Sequence, residues 1–182
     1  MMLNQIKQKV ESSERLTRED GLRLLKNASL LDLAELAETV RFRLNPKRRV
    51  TFVIDSNPNY TNVCNIDCIF CAFYRHEGEK DAYTYSVDEM IPRFKAAAKR
   101  GVRTVLLQGG VNPAIPFEYY TEMVRRTRQE VPEIHPHFFS TSEIIGMSQV
   151  SSLSIPEVLL RLKEAGLNSI PGGGAEILSD KV

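Results

Sequence analysis

Apolar positions recur at helical spacing in the N-terminal region, where Leu33, Leu36, Ala37 and Val40 fall at i, i+3, i+4 and i+7 and predict one amphipathic helix. Asn45-Pro46 ends it, because the residue before a proline is driven out of the helical region. Thr17 ahead of Arg18, Glu19 and Asp20 marks an earlier helix start, so residues 1–45 read as a helical, polar-faced segment. After the basic Lys47-Arg48-Arg49, the run Val50-Thr51-Phe52-Val53-Ile54 is β-branched and aromatic and predicts a strand.

Beyond residue 85 the two periods alternate. Ser86 with Glu89 is a capping box for a helix carrying Val87, Ile91, Phe94 and Ala98 and stopping near Gly101; Pro92 either kinks it or shifts its start. Val102 to Gln108 is a buried-type strand ending in Gly109-Gly110, and Pro116 opens a helix with Tyr120, Met123, Val124 and Thr127 on one face. His135 to Ser140 is the next strand, with Pro136 awkward if both neighbours pair with it. Ser154 and Glu157 cap a helix running to Gly166, and Leu167 to Pro171 is a short strand before Gly172-Gly173-Gly174. Strands alternating with helices of this length predict βαβ units and a parallel sheet. About four strands are present, against the roughly 250 residues of a complete (β/α)8 barrel. The expectation is therefore an α/β fold: a partial (β/α) barrel core over 46–182, truncated at its C-terminal side, behind the helical segment 1–45. An unpaired sheet edge is a poor stopping point for a folded chain. Truncation, a split gene and an oligomer that completes the sheet all stay open.

Composition narrows the function classes. With 182 residues, 42% hydrophobic, and 24 basic against 23 acidic side chains, the chain reads as one soluble domain with no global attraction to nucleic acid. No apolar run approaches the ~20 residues of a membrane helix. Lys7, Lys9, Glu11 and Glu14 interrupt any signal-peptide core, which predicts a cytoplasmic protein. Three cysteines in one cluster do not suggest a disulfide framework.

Those cysteines carry the chemistry. Cys64, Cys68 and Cys71 form C-x3-C-x2-C in a loop after a predicted strand. Three thiolates on one loop can hold three irons of a four-iron cubane and leave the fourth open to a small molecule. A zinc site with His76 as fourth ligand, and three inert structural cysteines, are the alternatives. Zinc loops usually pair two C-x2-4-C halves, and no second half follows.

The segment C-x3-C-x-F-C resembles the signature of the radical S-adenosylmethionine (SAM) superfamily. The resemblance implies a 4Fe-4S cluster on Cys64, Cys68 and Cys71, SAM chelated at the open iron, and a 5′-deoxyadenosyl radical that abstracts hydrogen from substrate. It further implies that Phe70 flanks the adenine and that Gln108, Gly109 and Gly110 hold the methionine amino group. Asn59-Tyr60-Thr61-Asn62-Val63-Cys64, Cys71-Ala72-Phe73-Tyr74-Arg75, Gln108 through Pro113 and Ser169 through Leu178 are similar to the dehypoxanthine futalosine cyclases of the futalosine route to menaquinone. Aminofutalosine synthases and deazaflavin synthase subunits share the cysteine and triple-glycine motifs. Implied with that branch are a nucleoside-derived small-molecule substrate, a ribose-centred radical that attacks an aromatic ring, and a reductase, flavodoxin or ferredoxin as electron donor. Neither nucleic acid nor a membrane span is expected.

The remaining polar candidates have two readings each. His135 and His137 share a strand face and are either acid/base groups, with His137 the catalytic candidate, or inward side chains satisfied by neighbours. Ser140 and Glu143 resemble the family's Ser-x-x-Glu stretch, where Ser140 contacts cofactor and Glu143 is the second catalytic candidate; an ordinary helix cap is the alternative for Ser140. Glu176, after three glycines, reads as a cofactor-binding acid or a first-turn helix acid. Arg75 either pairs with a carboxylate or is a solvated loop arginine.

Overall fold

The structure, a computed structural model, describes residues 2–173 together with 177, 179 and 181. It forms two compact units, one up to Thr51 and one from Phe52 on. The first holds α1 (Met2–Glu11), α2 (Arg18–Asn27) and α3 (Leu30–Leu44). Reciprocal capping boxes start the last two, Thr17 with Asp20 and Ser29 with Asp32, and α3 ends at Asn45. Ile6, Val10 and Leu36 form its small core, with Leu16, Leu24 and Val40 against them. Of the predicted stripe, Leu36 and Val40 pack inward, whereas Ala37 is exposed.

The second unit runs β1 (Asp55–Ser56), α4 (Val87–Lys99), β2 (Thr104–Leu107), α5 (Phe117–Glu130), β3 (His135–Phe138), α6 (Thr141–Ser151) and α7 (Ile155–Ala165). The strands form one parallel sheet in the order β1-β2-β3, Thr104 pairing with His135 and Leu107 with Phe138. Val105, Leu107 and Phe138 point to the helical side, where they meet Phe94 of α4, Met123 and Val124 of α5 and Leu162 of α7 in one core. Each such large apolar side chain stabilises the fold by about 1.5–3 kcal/mol. Pro92 sits inside α4, which continues through it.

Two strands differ from expectation. Residues 50–54 are not a strand: Val50 and Phe52 are exposed, and pairing starts only at Asp55 with Thr104. β-propensity alone does not form a strand, and no described strand pairs with 50–53. The predicted fourth strand is reduced to one parallel bridge, His137 with Ser169. The reason lies in Pro136. The N–H groups of His135 and Phe139 donate to Arg103 and Leu107 carbonyls, so alternation aims the nitrogen of Pro136 at the fourth segment, where it has no hydrogen to give.

Phe139 then ends β3 in the left-handed region, at φ 64°. This breaks the strand's alternation, so Phe138 and the next residue both bury their rings, 5.6 Å apart. The turn costs about 1–3 kcal/mol, which burial of the second phenyl ring offsets. It delivers the chain to Ser140, the N-cap of α6, a helix that hydrophobic periodicity does not announce.

Candidate active site at the carboxyl ends of the strands

The segment after β1 is a buried polar anchor. Tyr60 and Thr61 are fully buried and Asn62 nearly so. Asn62 Nδ2 donates to the Asp81 carbonyl and its Oδ1 accepts from the Tyr83 N–H, both at 2.8 Å, while the Thr61 hydroxyl bonds the Tyr83 carbonyl and the Thr84 hydroxyl at the same distance. Asn112 Nδ2 reaches Thr84 from the next loop. Every one of these groups has a partner, which fixes where the chain enters the cysteine loop.

The loop itself is open. Cys64, Cys68 and Cys71 are partly exposed and form no disulfide, Asp67 between the first two is left-handed at φ 53°, and the Cys71 N–H closes a turn on the Cys68 carbonyl. Phe70 is 83% exposed. Arg75 spends its guanidinium on the carbonyls of Ala72 and Tyr74, stapling the loop from behind. Among the described residues no three His, Cys, Asp or Glu converge on one ion. His76 instead lies 3.8 Å from Asp67. A cubane needs no such convergence, since each thiolate binds a different iron.

Facing the loop, Gln108, Gly109 and Gly110 follow β2. A Cβ on Gly110 would lie 2.1 Å from the Val63 carbonyl oxygen, and one on Gly109 would lie 2.6 Å from the Tyr60 ring. Only glycine fits at either position. Two backbone bonds complete the contact: Gly110 N–H to the Thr61 carbonyl at 2.9 Å and Asn65 N–H to the Val111 carbonyl at 3.1 Å.

Ser140 and Glu143 close the third side. Glu143 is 2% exposed, and its Oε1 accepts from the Tyr60 hydroxyl (2.7 Å) and the Gly109 N–H (3.1 Å). Oε2 accepts from the N–H and hydroxyl of Ser140, both at 2.7 Å. Burial pushes this carboxyl above its ordinary range, and the four donors pull it back. Burial, with the Glu143 charge beside it, pushes Tyr60 up as well, so it stays a phenol that donates.

Together these elements enclose a cavity of about 340 Å³, lined by the three cysteines, by Ile66, Phe70 and Phe73, and by Gln108, Gly109, Gly110, Ser140, Ser142 and Gly173. Its size lies in the range of small-molecule sites. The predicted cofactor residues Phe70, Gln108, Gly109, Gly110 and Ser140 thus meet the cysteines, and Ser140 caps its helix as well. Glu143 lies behind the wall, not in it. His135 and His137 stand apart from the lining: His135 Nε2 and His137 Nδ1 each bond the Ser169 hydroxyl at 2.7 Å. Glu176 lies outside the described residues. Tyr60, Thr61, Asn112 and Ser169 belong to the motifs that carry the family resemblance, but their contacts at the site, and Ser142 altogether, are not legible in those motifs.

A thiol triad on a loop, a glycine cradle and an apolar mouth at the carboxyl ends of parallel strands define a cluster-binding, cofactor-dependent enzyme class. The family model of the radical SAM superfamily matches residues 58–182, and the chain belongs to that superfamily. Its cofactors are a 4Fe-4S cluster and SAM, and the donor set and cradle fit both. Cyclic dehypoxanthine futalosine synthase of Halalkalibacterium halodurans is 38% identical over 181 residues, covering 100% of this chain and 49% of that protein. Aminodeoxyfutalosine synthase of Streptomyces coelicolor is 38% identical over 178 residues, covering 98% and 46%. FO synthase of Mycobacterium tuberculosis is 44% identical over 150 residues, covering 82% and 17%. Among solved structures HydG, a maturase of the [FeFe]-hydrogenase, superposes with a TM-score of 0.62 at 15% identity, covering 94% of this chain and 46% of that one. That likeness concerns the fold. The chain spans about half the length of the first two relatives.

Proposed function

We propose that this chain carries the cluster- and SAM-binding part of a radical SAM enzyme that cyclises dehypoxanthine futalosine on the futalosine route to menaquinone. The observation that carries the reading is the whole-chain likeness to a cyclic dehypoxanthine futalosine synthase. A sister reaction, that of aminofutalosine synthase, is the second reading, favoured by an equal identity over nearly the same span. When bound, the reduced cluster and SAM supply hydrogen-abstracting radical chemistry. The chain's residues do the rest. Cys64, Cys68 and Cys71 ligate iron, Phe70 flanks the adenine, and Gln108, Gly109 and Gly110 accept from the amino group. Ile66, Phe70 and Phe73 give the mouth its apolar lining. Ser140 and Glu176 are assigned to cofactor contact, and His137, whose Nε2 makes no hydrogen bond among the described residues, to the proton released on ring closure.

The helical segment 1–45 is read as a domain ahead of the core 46–182, and a reductase, flavodoxin or ferredoxin in the cytoplasm as the electron source. No helix of the described residues is long and apolar enough to cross a membrane. The test is anaerobic reconstitution with iron and sulfide, then SAM, reductant and dehypoxanthine futalosine, with mass spectrometry of 5′-deoxyadenosine and cyclised product. Both products are expected. Deoxyadenosine formed only with the aminofutalosine synthase substrate would move the assignment to the sister reaction.

A further inference from the structure

The glycine cradle is held by two fixed acceptors, of which Glu143 lies behind the cavity wall and Thr61 is part of the lining. Gly109 N–H is committed to Glu143 and Gly110 N–H to the Thr61 carbonyl. Every described peptide bond is trans, so the carbonyl of each peptide points opposite to its N–H. The Gln108 carbonyl is therefore turned away from Glu143, which lies behind the wall, toward the cavity that Gln108 and Gly109 line. That carbonyl accepts no hydrogen bond among the described residues.

We propose that Glu143, held in place by Tyr60, is the positioning residue that aims the Gln108 carbonyl at the amino group of the bound amino-acid moiety. The inference rests on the SAM reading of the cavity. Its charge also polarises the Gln108–Gly109 peptide, which makes the Gln108 carbonyl a stronger acceptor for an N–H donor. Only a carboxylate does this. Each of its oxygens receives one backbone N–H, from Gly109 and from Ser140, and a backbone N–H cannot turn into an acceptor. The amide of Glu143→Gln must set its NH2 against one of them. Tyr60→Phe removes one donor and leaves the carboxylate three.

Two ligands test the idea on the anaerobically reconstituted chain by equilibrium dialysis: SAM, and an analogue lacking the α-amino group. Circular dichroism and iron and sulfide content accompany each variant. Glu143→Gln is expected to weaken SAM binding about tenfold or more, as for an unmet buried donor, and to leave the deaminated analogue nearly unchanged. Tyr60→Phe is expected to show the same selectivity at about threefold, in keeping with one lost hydrogen bond. Equal weakening of both ligands, or unchanged SAM binding with Glu143→Gln, would overturn the inference while leaving the cavity's assignment intact. Should Glu143→Gln fail to fold, the selectivity in Tyr60→Phe decides alone. An unaltered chain that takes up cluster yet binds no SAM would overturn the reading of the cavity and this inference with it.

Discussion

The two walls of the cavity are built on opposite plans. On the cradle side, Tyr60, Thr61 and Glu143 are buried, every buried polar side-chain atom described has a partner, and backbone bonds tie the Gly109-Gly110 turn to the chain leading into Cys64. On the cysteine side, Ile69, Phe70 and Phe73 stand in solvent, and Arg75 and a single turn are the chief internal ties. One wall is complete without its ligand. The other is a set of donors whose arrangement gains its free energy from ligation, as in other metal sites where binding and ordering are coupled. On the proposed reading, the protein preorganises the part that recognises an organic cofactor and leaves the inorganic part to its own coordination preferences.

The sharpest way to break this contrast is Cys68→Ser. It removes a ligand from the open wall and touches no core residue, so reductive SAM cleavage should vanish while circular dichroism stays unaltered. Retained deoxyadenosine formation would refute the ligand assignment. Next is Gly110→Ala, which drives a methyl into the Val63 carbonyl. Since the obstacle is backbone, the two segments must separate, at about 1–3 kcal/mol by denaturant unfolding, the usual cost of overpacking. A smaller effect follows from Glu143. Its folded pKa is raised, so the native state holds its proton more readily than the unfolded chain, whose ordinary value is 4.5. Stability from this group should therefore fall as pH rises from about 4.5 through the folded value, and Glu143→Gln should flatten that part of the stability–pH curve. The smallest effect belongs to the open wall again: Ile69→Ala, fully exposed, should leave stability within about 0.5 kcal/mol.

The same contrast explains what could be read from the chain. Capping boxes at Thr17, Ser86 and Ser154 are written within four residues, and the structure has each of them. The cysteines and the glycine pair are likewise local words, and the cavity unites them. The bond from Tyr60 to Glu143 spans 83 positions, and nothing near either residue announces it. A carboxylate three residues after a serine reads as a plain cap; here it caps and also reaches the cradle. Residues 50–54 show the converse, since strand propensity there meets no partner strand among the described residues. Alternation alone places His135 and His137 on one face, but the Ser169 hydroxyl between them comes from a distant segment.

Pro136 shapes the kinetics of the site's far side. The segment that brings Gly173 to the cavity rests against the sheet through a single backbone bridge, whereas β2 and β3 share a full ladder. A wall fastened at one point opens at lower free energy than one fastened along its length. Amide hydrogens around Ser169 should therefore exchange with solvent well before those of Val105 and Leu106. The proline's missing hydrogen thus leaves the segment around Ser169 able to part from β3 at lower cost than β3 parts from β2.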